Sequence, residues 1–317
     1  MAAFSFIQPP GVRLAGGGAY ISGLIGALRD AGHDAAILTS TAALQPGRIN
    51  VIDGLAITDF ALDAVEGAVG LVHHTTPLAA GDAKDALRDI ERRVLPRLRL
   101  VVATSAAVAA RLREEFGVSP ERLIVIPPGV PEAPRSAGSG GPGCAILSVG
   151  ALVPRKGHAI LLQALARLFD LDWSLTIIGD DTRAPAHADA LRAQVLADGI
   201  AHRVIFAGAV DDLEPAWQAA DMFALATEWE GYPASIAQAV RRGLPVAVTA
   251  GSAAAEILTP EFAVVAPPGD AIQLSKAMRR IIFDPALRAD MAAASWRAGQ
   301  NLPRWAEQAA IFVGAVL

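Results

Sequence analysis

The sequence predicts an α/β protein of two doubly wound domains, each a parallel sheet with helices on both faces. Three observations predict it. Short apolar runs alternate with amphipathic helical segments from end to end; the alternation pauses once, at APRSAGSGGPG over 133–143; and 317 residues are more than one core readily organises. Hydrophobic residues make up 53% and charged residues 19%, a balance suited to buried parallel strands between Ala- and Leu-rich helices.

In the first half, FSFI at 4–7 reads as a strand, Ile21, Leu24, Ile25 and Leu28 at three-four spacing as a helix, and AAILT at 35–39 as the next strand. Gly32 suits the positive φ of a helix C-terminus. Apolar runs at 68–72, 100–104 and 123–127 add strands, and Ser105 is a good N-cap for a helix burying Val108, Leu112 and Phe116. The alternation restarts with CAILSVG at 144–150, a helix carrying Ile160, Leu161, Ala164, Leu165 and Leu168, and SLTIIG at 174–179. RVIFAG, MFALAT, LPVAVT and FAVVAP follow as strands. The expected domains are 1–137 and 144–301, with 138–143 as a flexible linker, and ligands bind beyond the carboxyl ends of such strands.

Several function classes are excluded. A net charge of -5, with no basic stripe interleaved with aromatics, gives nucleic acid no footing. The single cysteine, Cys144, opens an apolar strand and reads as a small core residue, which excludes a disulfide and fits a reducing compartment. MAAFSFIQPP lacks a basic leader and reads as a first strand, and no uncharged stretch is long enough to span a bilayer, so a cytoplasmic protein is expected. Gly138, Gly140 and Gly143 match a dinucleotide fingerprint literally but precede a strand, and Pro142 obstructs a helix start. DLD at 170–172 and DD at 180–181 read as solvated turns, and no Ser-centred elbow or two-His metal spacing occurs.

Chemistry concentrates in two stretches. VGALVPRKGHAILLQAL at 149–165 places Arg155, Lys156 and Gly157 between a strand and a helix, where cations and a helix N-terminus can meet phosphate. TEWEGYPASIAQAVRRGLPVAVT at 227–249 repeats that geometry: Glu230 stands on the loop and a helix begins near Ser235. A carboxylate there can accept paired hydrogen bonds from vicinal hydroxyls.

From VGALVPRKGH through IIGD, RVIFAG, AADMFALATEWEGY and RRGLPVAVTAGSAAAEIL to VAPPGD, about 150 residues in order, the second half resembles the family-four retaining glycosyltransferases. The fold this implies is two Rossmann-like domains facing across a cleft, the GT-B architecture, with 302–317 as the terminal helix that crosses back to the first domain. The resemblance implies that Lys156 pairs with the donor diphosphate and Glu230 with hydroxyls of the transferred sugar, Gly231, Tyr232, Pro233, Ala234 and Ser235 lining the donor. In the first half, LAGGGAYISGLIGALRDAGHDAAILT at 14–39 resembles the opening loop and helix, so Gly16, Gly17 and Gly18 would approach the donor phosphates. GLVHHTTPL at 70–78 carries His73 and His74; of these His74, deeper in the loop, is taken as the histidine near the reacting sugar, completing a catalytic set with Glu230 and Lys156.

Three positions depart from the pattern. Ala151 stands where a diphosphate-binding Arg is usual, which Arg155 next door offsets; Pro233 replaces a loop glycine; and Gln238 replaces the acid that grips the ribose. An amide there forgoes about 1 kcal/mol of charge-assisted hydrogen bonding, and the proline deletes a donor. These departures motivate an alternative, a non-catalytic or partner-dependent sugar-nucleotide-binding protein. The implied partners are a nucleoside diphosphate sugar, used as co-substrate with no further cofactor and no bound metal, and an acceptor glycan, glycolipid or small molecule. DALRDIERRVLPRLRL at 85–100 reads as a solvated helix face, with peripheral contact to anionic lipid at the inner face of the membrane as the other reading. His33, His158, His187 and His202 receive no role.

Overall fold

The structure, a computed structural model, describes residues 1–9, 17–39, 44–60, 62, 65–75, 84–249 and 253–317. The chain divides into two compact units, Met1–Pro131 with Pro303–Leu317, and Glu132–Leu302.

Unit 1 begins with β1 (Ala3–Gln8), α1 (Gly17–Asp30), β2 (Asp34–Thr39), β3 (Ile49–Asp53) and β4 (Val69–Val72). It continues with α2 (Lys84–Val94), β5 (Leu100–Ala103), α3 (Ala106–Phe116) and β6 (Leu123–Val125). Among the described residues the strands form one parallel six-stranded sheet in the order β2-β1-β3-β4-β5-β6, so the order reverses between β1 and β3. Ser105 caps α3 as expected, its Oγ accepting from the Val108 N–H at 3.1 Å. The sequence reading missed β3. Val51 and Ile52 are fully buried, but Asn50 and Asp53 break the apolar run, and Asn50 is spent on the preceding turn, where its Oδ1 accepts from the Gln45 N–H at 2.8 Å.

Unit 2 contains β7 (Cys144–Val149), α4 (His158–Ala166), β8 (Trp173–Ile178), α5 (Pro185–Ala197), β9 (Val204–Gly208) and α6 (Glu214–Gln218). Then follow β10 (Met222–Leu225), α7 (Ala234–Arg241), β11 (Val246–Thr249), β12 (Ala263–Ala266), α8 (Ala271–Phe283) and α9 (Pro285–Gln300). Its described strands form a second parallel six-stranded sheet, β12-β11-β10-β7-β8-β9, with the order reversing between β7 and β10. Successive residues of β7 feed opposite cores. Ile146 packs with Leu161, Leu175 and Met278, whereas Leu147 packs with Phe223, Ile236 and Val246.

The segment 133–143, expected to hold a flexible linker at 138–143, is instead tied into unit 2. Ser136 Oγ donates to Ala220 O at 2.8 Å, and Ser139 Oγ and N donate to the two oxygens of Asp221 at 2.6 and 3.0 Å. Composition reports only the lack of bulky side chains; the acceptors that fix this stretch lie some 80 residues away in sequence.

The last helix, α10 (Trp305–Val316), belongs to unit 1. Phe312 stacks on Phe6 with centroids 6.1 Å apart, and Trp305 lies over Gly23 of α1 so closely that a Cβ there would be 2.2 Å from its ring. Among the described residues no helix is long and apolar enough to cross a membrane. The arginines of 85–100 have local partners: Arg88 binds Asp85 at 2.9 Å, Arg92 donates to Glu115 O at 3.0 Å and Arg93 to Asp89 O at 3.2 Å.

Candidate functional site

In unit 2, the turn after β7 and the loop after β10 meet at the strand-order reversal, where doubly wound sheets leave a crevice at their carboxyl edge. Pro154–Lys156 form one 3-10 turn, closed by Gly157 at φ 66°. A Cβ on Gly157 would lie 1.8 Å from Ala226 O, so only glycine lets the turn seat against the end of β10. Two hydrogen bonds join the segments: the Glu228 N–H donates to Arg155 O at 2.9 Å, and Thr227 Oγ1 stands 3.1 Å from the same oxygen.

This framework places both cations on one carboxylate. Lys156 Nζ donates to Glu230 Oε1, Arg155 Nη1 donates to Glu230 Oε2 at 3.3 Å, and Thr227 Oγ1 is 3.2 Å from Oε1. The Arg155 guanidinium also lies over the Trp229 ring at 4.9 Å. Glu230 is 8% exposed, so the pairing is poorly screened and the three side chains hold one surplus positive charge at the sheet edge. Such a group can hold an anion on the cations and hydroxyls on the carboxylate. Thr227 and Thr249, whose Oγ1 donates to Thr227 O at 2.7 Å, were not singled out from sequence. A threonine closing each of the apolar runs MFALAT and LPVAVT was the available signal.

From Glu230 the chain runs through Gly231 and Tyr232 to Pro233, the N-cap of α7 at φ −84° and ψ 67°, with no side-chain cap. Ala234 and Ser235 form the first turn, the Ala234 N–H turning back to Tyr232 O at 3.0 Å. Burial, reinforced by the charge of Glu256 and opposed by Arg241, pushes the Tyr232 phenol well above its ordinary range, so it stays protonated. Gln238, one turn on, accepts on Oε1 from Arg242 Nη1 at 3.2 Å. Arg242 donates to Glu214 at 2.6 Å and lies over Trp217 at 5.2 Å. A guanidinium can only donate, so the amide oxygen is fixed towards Arg242 and the amide N–H₂ away from it. Ala151, in the first loop, contributes no cation.

His158 opens α4 just behind the Lys156 turn, fully buried, with neither ring nitrogen hydrogen-bonded among the described residues. Burial, together with the nearby charges of Lys156 and His187, lowers its pKa from 6.5 to about 3.

In unit 1, Gly16 lies outside the described residues, and Gly17 and Gly18 form the first turn of α1. His73 and His74 follow β4 directly. His74 is half-buried with Nδ1 3.1 Å from Thr75 O, whereas His73 is 9% exposed with Nε2 3.7 Å from Asp53 Oδ2. Asp53 ends β3, and its Oδ1 accepts from the Leu55 N–H at 2.9 Å. Burial is the largest influence on this carboxyl and opposes ionisation; His73, the Leu55 N–H and the charge of His74 together outweigh it and hold the pKa below the usual carboxylate value. Asp53 escaped the sequence reading with the strand that carries it.

Residues 143–284 match the family profile described as Glycosyl transferases group 1, and residues 54–133 match the profile described as Glycosyltransferase Family 4. A D-inositol 3-phosphate glycosyltransferase of Acidothermus cellulolyticus is 27% identical over 290 residues, which cover 81% of this chain and 64% of that relative. The chain thus spans less than two thirds of that relative's length. Among solved structures, sucrose-phosphate synthase from Thermosynechococcus elongatus superposes with a TM-score of 0.83 at 18% identity, covering 99% of this chain and 98% of the other. Anabaena HepE in complex with UDP and glucose gives a TM-score of 0.80 at 16% identity, covering 100% and 99%. At these identities the likeness is one of fold. With two profiles in chain order and the two-domain Rossmann-like fold shared with these proteins, the chain belongs to the family-four-like glycosyltransferases.

Proposed function

We propose that the protein transfers a sugar from a nucleoside diphosphate sugar to an acceptor hydroxyl of a glycan or glycolipid, with retention of anomeric configuration. The observation that carries this is the Arg155–Lys156–Glu230 cluster at the strand-order reversal of unit 2, beside the start of α7. The Lys156 ammonium has three N–H groups; with one on Glu230, the others serve the diphosphate, joined by Arg155 and the N–H groups of Ser235 and Ile236 at the start of α7. Glu230 accepts from hydroxyls of the sugar. As the bond from the anomeric carbon to the phosphate oxygen breaks, these cations take up the developing charge. The acceptor oxygen bonds the same face of that carbon, and its proton passes to the departing phosphate oxygen. The reading needs no cofactor beyond the nucleotide sugar and no bound metal, since cationic side chains neutralise the leaving group. The UDP and glucose bound by Anabaena HepE support a nucleotide-sugar donor.

A second reading, a protein that binds the nucleotide sugar without turning it over alone, is favoured by Pro233, which brings no N–H to the α7 N-cap, and by Ala151. Calorimetric titration with UDP, GDP, ADP and their common sugar conjugates tests both. Micromolar binding of one conjugate, weakened at least tenfold in Lys156→Ala, supports the donor site; a single lost charge-assisted contact is worth about that much. Binding without transfer to any acceptor favours the second reading. A product of inverted configuration overturns retention.

A further inference from the structure

Asp53 is a buried carboxylate that the proposed reaction leaves unused. It stands at the carboxyl end of β3, beside the reversal of strand order in unit 1, and is 0% exposed. Such a group is costly unless its oxygens are engaged. Oδ1 caps the turn at Leu55; Oδ2 has no hydrogen-bond partner among the described residues and faces His73 Nε2 at 3.7 Å, just beyond hydrogen-bond range.

The surroundings fix this pairing. Asp53 pairs in register with Leu71 of β4, so His73, two residues further, shares its face of the sheet. The edge of Tyr20 closes on the His73 ring with centroids 5.4 Å apart, Tyr20 being anchored by its hydroxyl, which donates to Ile126 O at 2.9 Å. Thr104 Oγ1 donates to His73 O at 3.3 Å and steadies the backbone. Nε2 is buried against the carboxylate, so Nδ1 is the nitrogen left for a ligand. A neutral imidazole that gives its Nε2–H to a carboxylate has an unprotonated Nδ1. His74, by contrast, has its Nδ1 engaged close to Thr75 O.

We propose that Asp53 is a positioning residue that holds His73 in the Nε2–H tautomer, making Nδ1 a fixed acceptor for a sugar hydroxyl at the carboxyl edge of the first sheet. The sugar hydroxyl rests on the glycosyl-transfer reading; the tautomer does not.

The test uses the full chain with ¹⁵N-labelled histidine, observed at about pH 8.5, above the ordinary imidazole range, with the His73 signal assigned by its loss in His73→Gln. Asp53→Asn keeps the oxygen that caps Leu55 but turns an amide N–H₂ towards Nε2, which forces the opposite tautomer. The expected result is a proton on Nε2 and a bare Nδ1 in the parent protein, reversed in Asp53→Asn. UDP-glucose or GDP-mannose shifts the Nδ1 resonance of the parent, and Asp53→Asn lowers kcat about a hundredfold while KM for the nucleotide sugar stays within about threefold. A proton on Nδ1 in the parent overturns the proposal, as does one tautomer shared by both folded proteins, or an Nδ1 resonance unmoved by a nucleotide sugar that binds. Should Asp53→Asn fail to fold, the parent spectrum decides the tautomer. If neither nucleotide sugar binds, the glycosyl-transfer reading and the hydroxyl ligand fall together, and the same spectrum still decides the Asp53–His73 pair.

Discussion

Glu230 holds two cations with one carboxylate, and Gln238, a turn along α7, is held by Arg242, whose charge Glu214 already balances. Gln238→Glu keeps one oxygen on Arg242 and turns a second acceptor outward, where ribose hydroxyls can donate to it. The expected gain in nucleoside diphosphate affinity is about fivefold, or ~1 kcal/mol; unchanged affinity by calorimetry would place the ribose elsewhere. His158 carries a pH prediction. Its pKa is near 6.5 when unfolded and about 3 in the fold, so in between the unfolded chain binds more protons. The stability linked to it is complete above about pH 6.5 and is lost as pH falls towards about 3, amounting to ~2 kcal/mol at about pH 5. Urea unfolding at about pH 7 and about pH 5 should show this loss in the parent and not in His158→Leu; equal losses in both would refute it. Arg155, Lys156 and Glu230 were legible in sequence because each follows an apolar run that ends in turn residues. The link from Arg242 to Glu214 was not, since 28 residues separate them.

At the scale of elements, the turn after β7 depends on Gly157. Gly157→Ala combines a left-handed backbone with a Cβ pressed on Ala226 O, at an expected cost of about 3 kcal/mol. Chemical denaturation measures the loss, and a change below ~1 kcal/mol would mean that the turn yields. Weakened nucleotide binding should accompany it, because the same turn carries Arg155 and Lys156. The strands of unit 2 were readable because parallel strands covered on both faces are continuous apolar runs. β3 was not, since Asn50 serves a turn and Asp53 a histidine, and a strand whose polar residues have assignments of their own lacks the pattern that announces strands.

For the whole molecule, the division into units matters more than either sheet. Unit 1 is discontinuous: Pro303–Leu317 return to it, and Phe312, Ala309 and Val316 are buried beside Phe4, Phe6 and Ile21. Deleting 303–317 should therefore lower or abolish the thermal transition of unit 1 and leave that of unit 2 in place, as Phe312 alone represents about 3–5 kcal/mol of core packing. Calorimetry of the shortened chain checks this; a single transition lost as a whole would show that the units unfold together. The terminal helix was anticipated through a family likeness; its own apolar pattern says only that it must be covered, not by which unit. The same returning segment sets an order for biosynthesis. A ribosome synthesises all of Glu132–Leu302 before it makes Trp305, so unit 2 has its complete sequence while the N-terminal unit still waits with Gly23 and its aromatic residues uncovered. Of the two units, the one begun first is the one completed last.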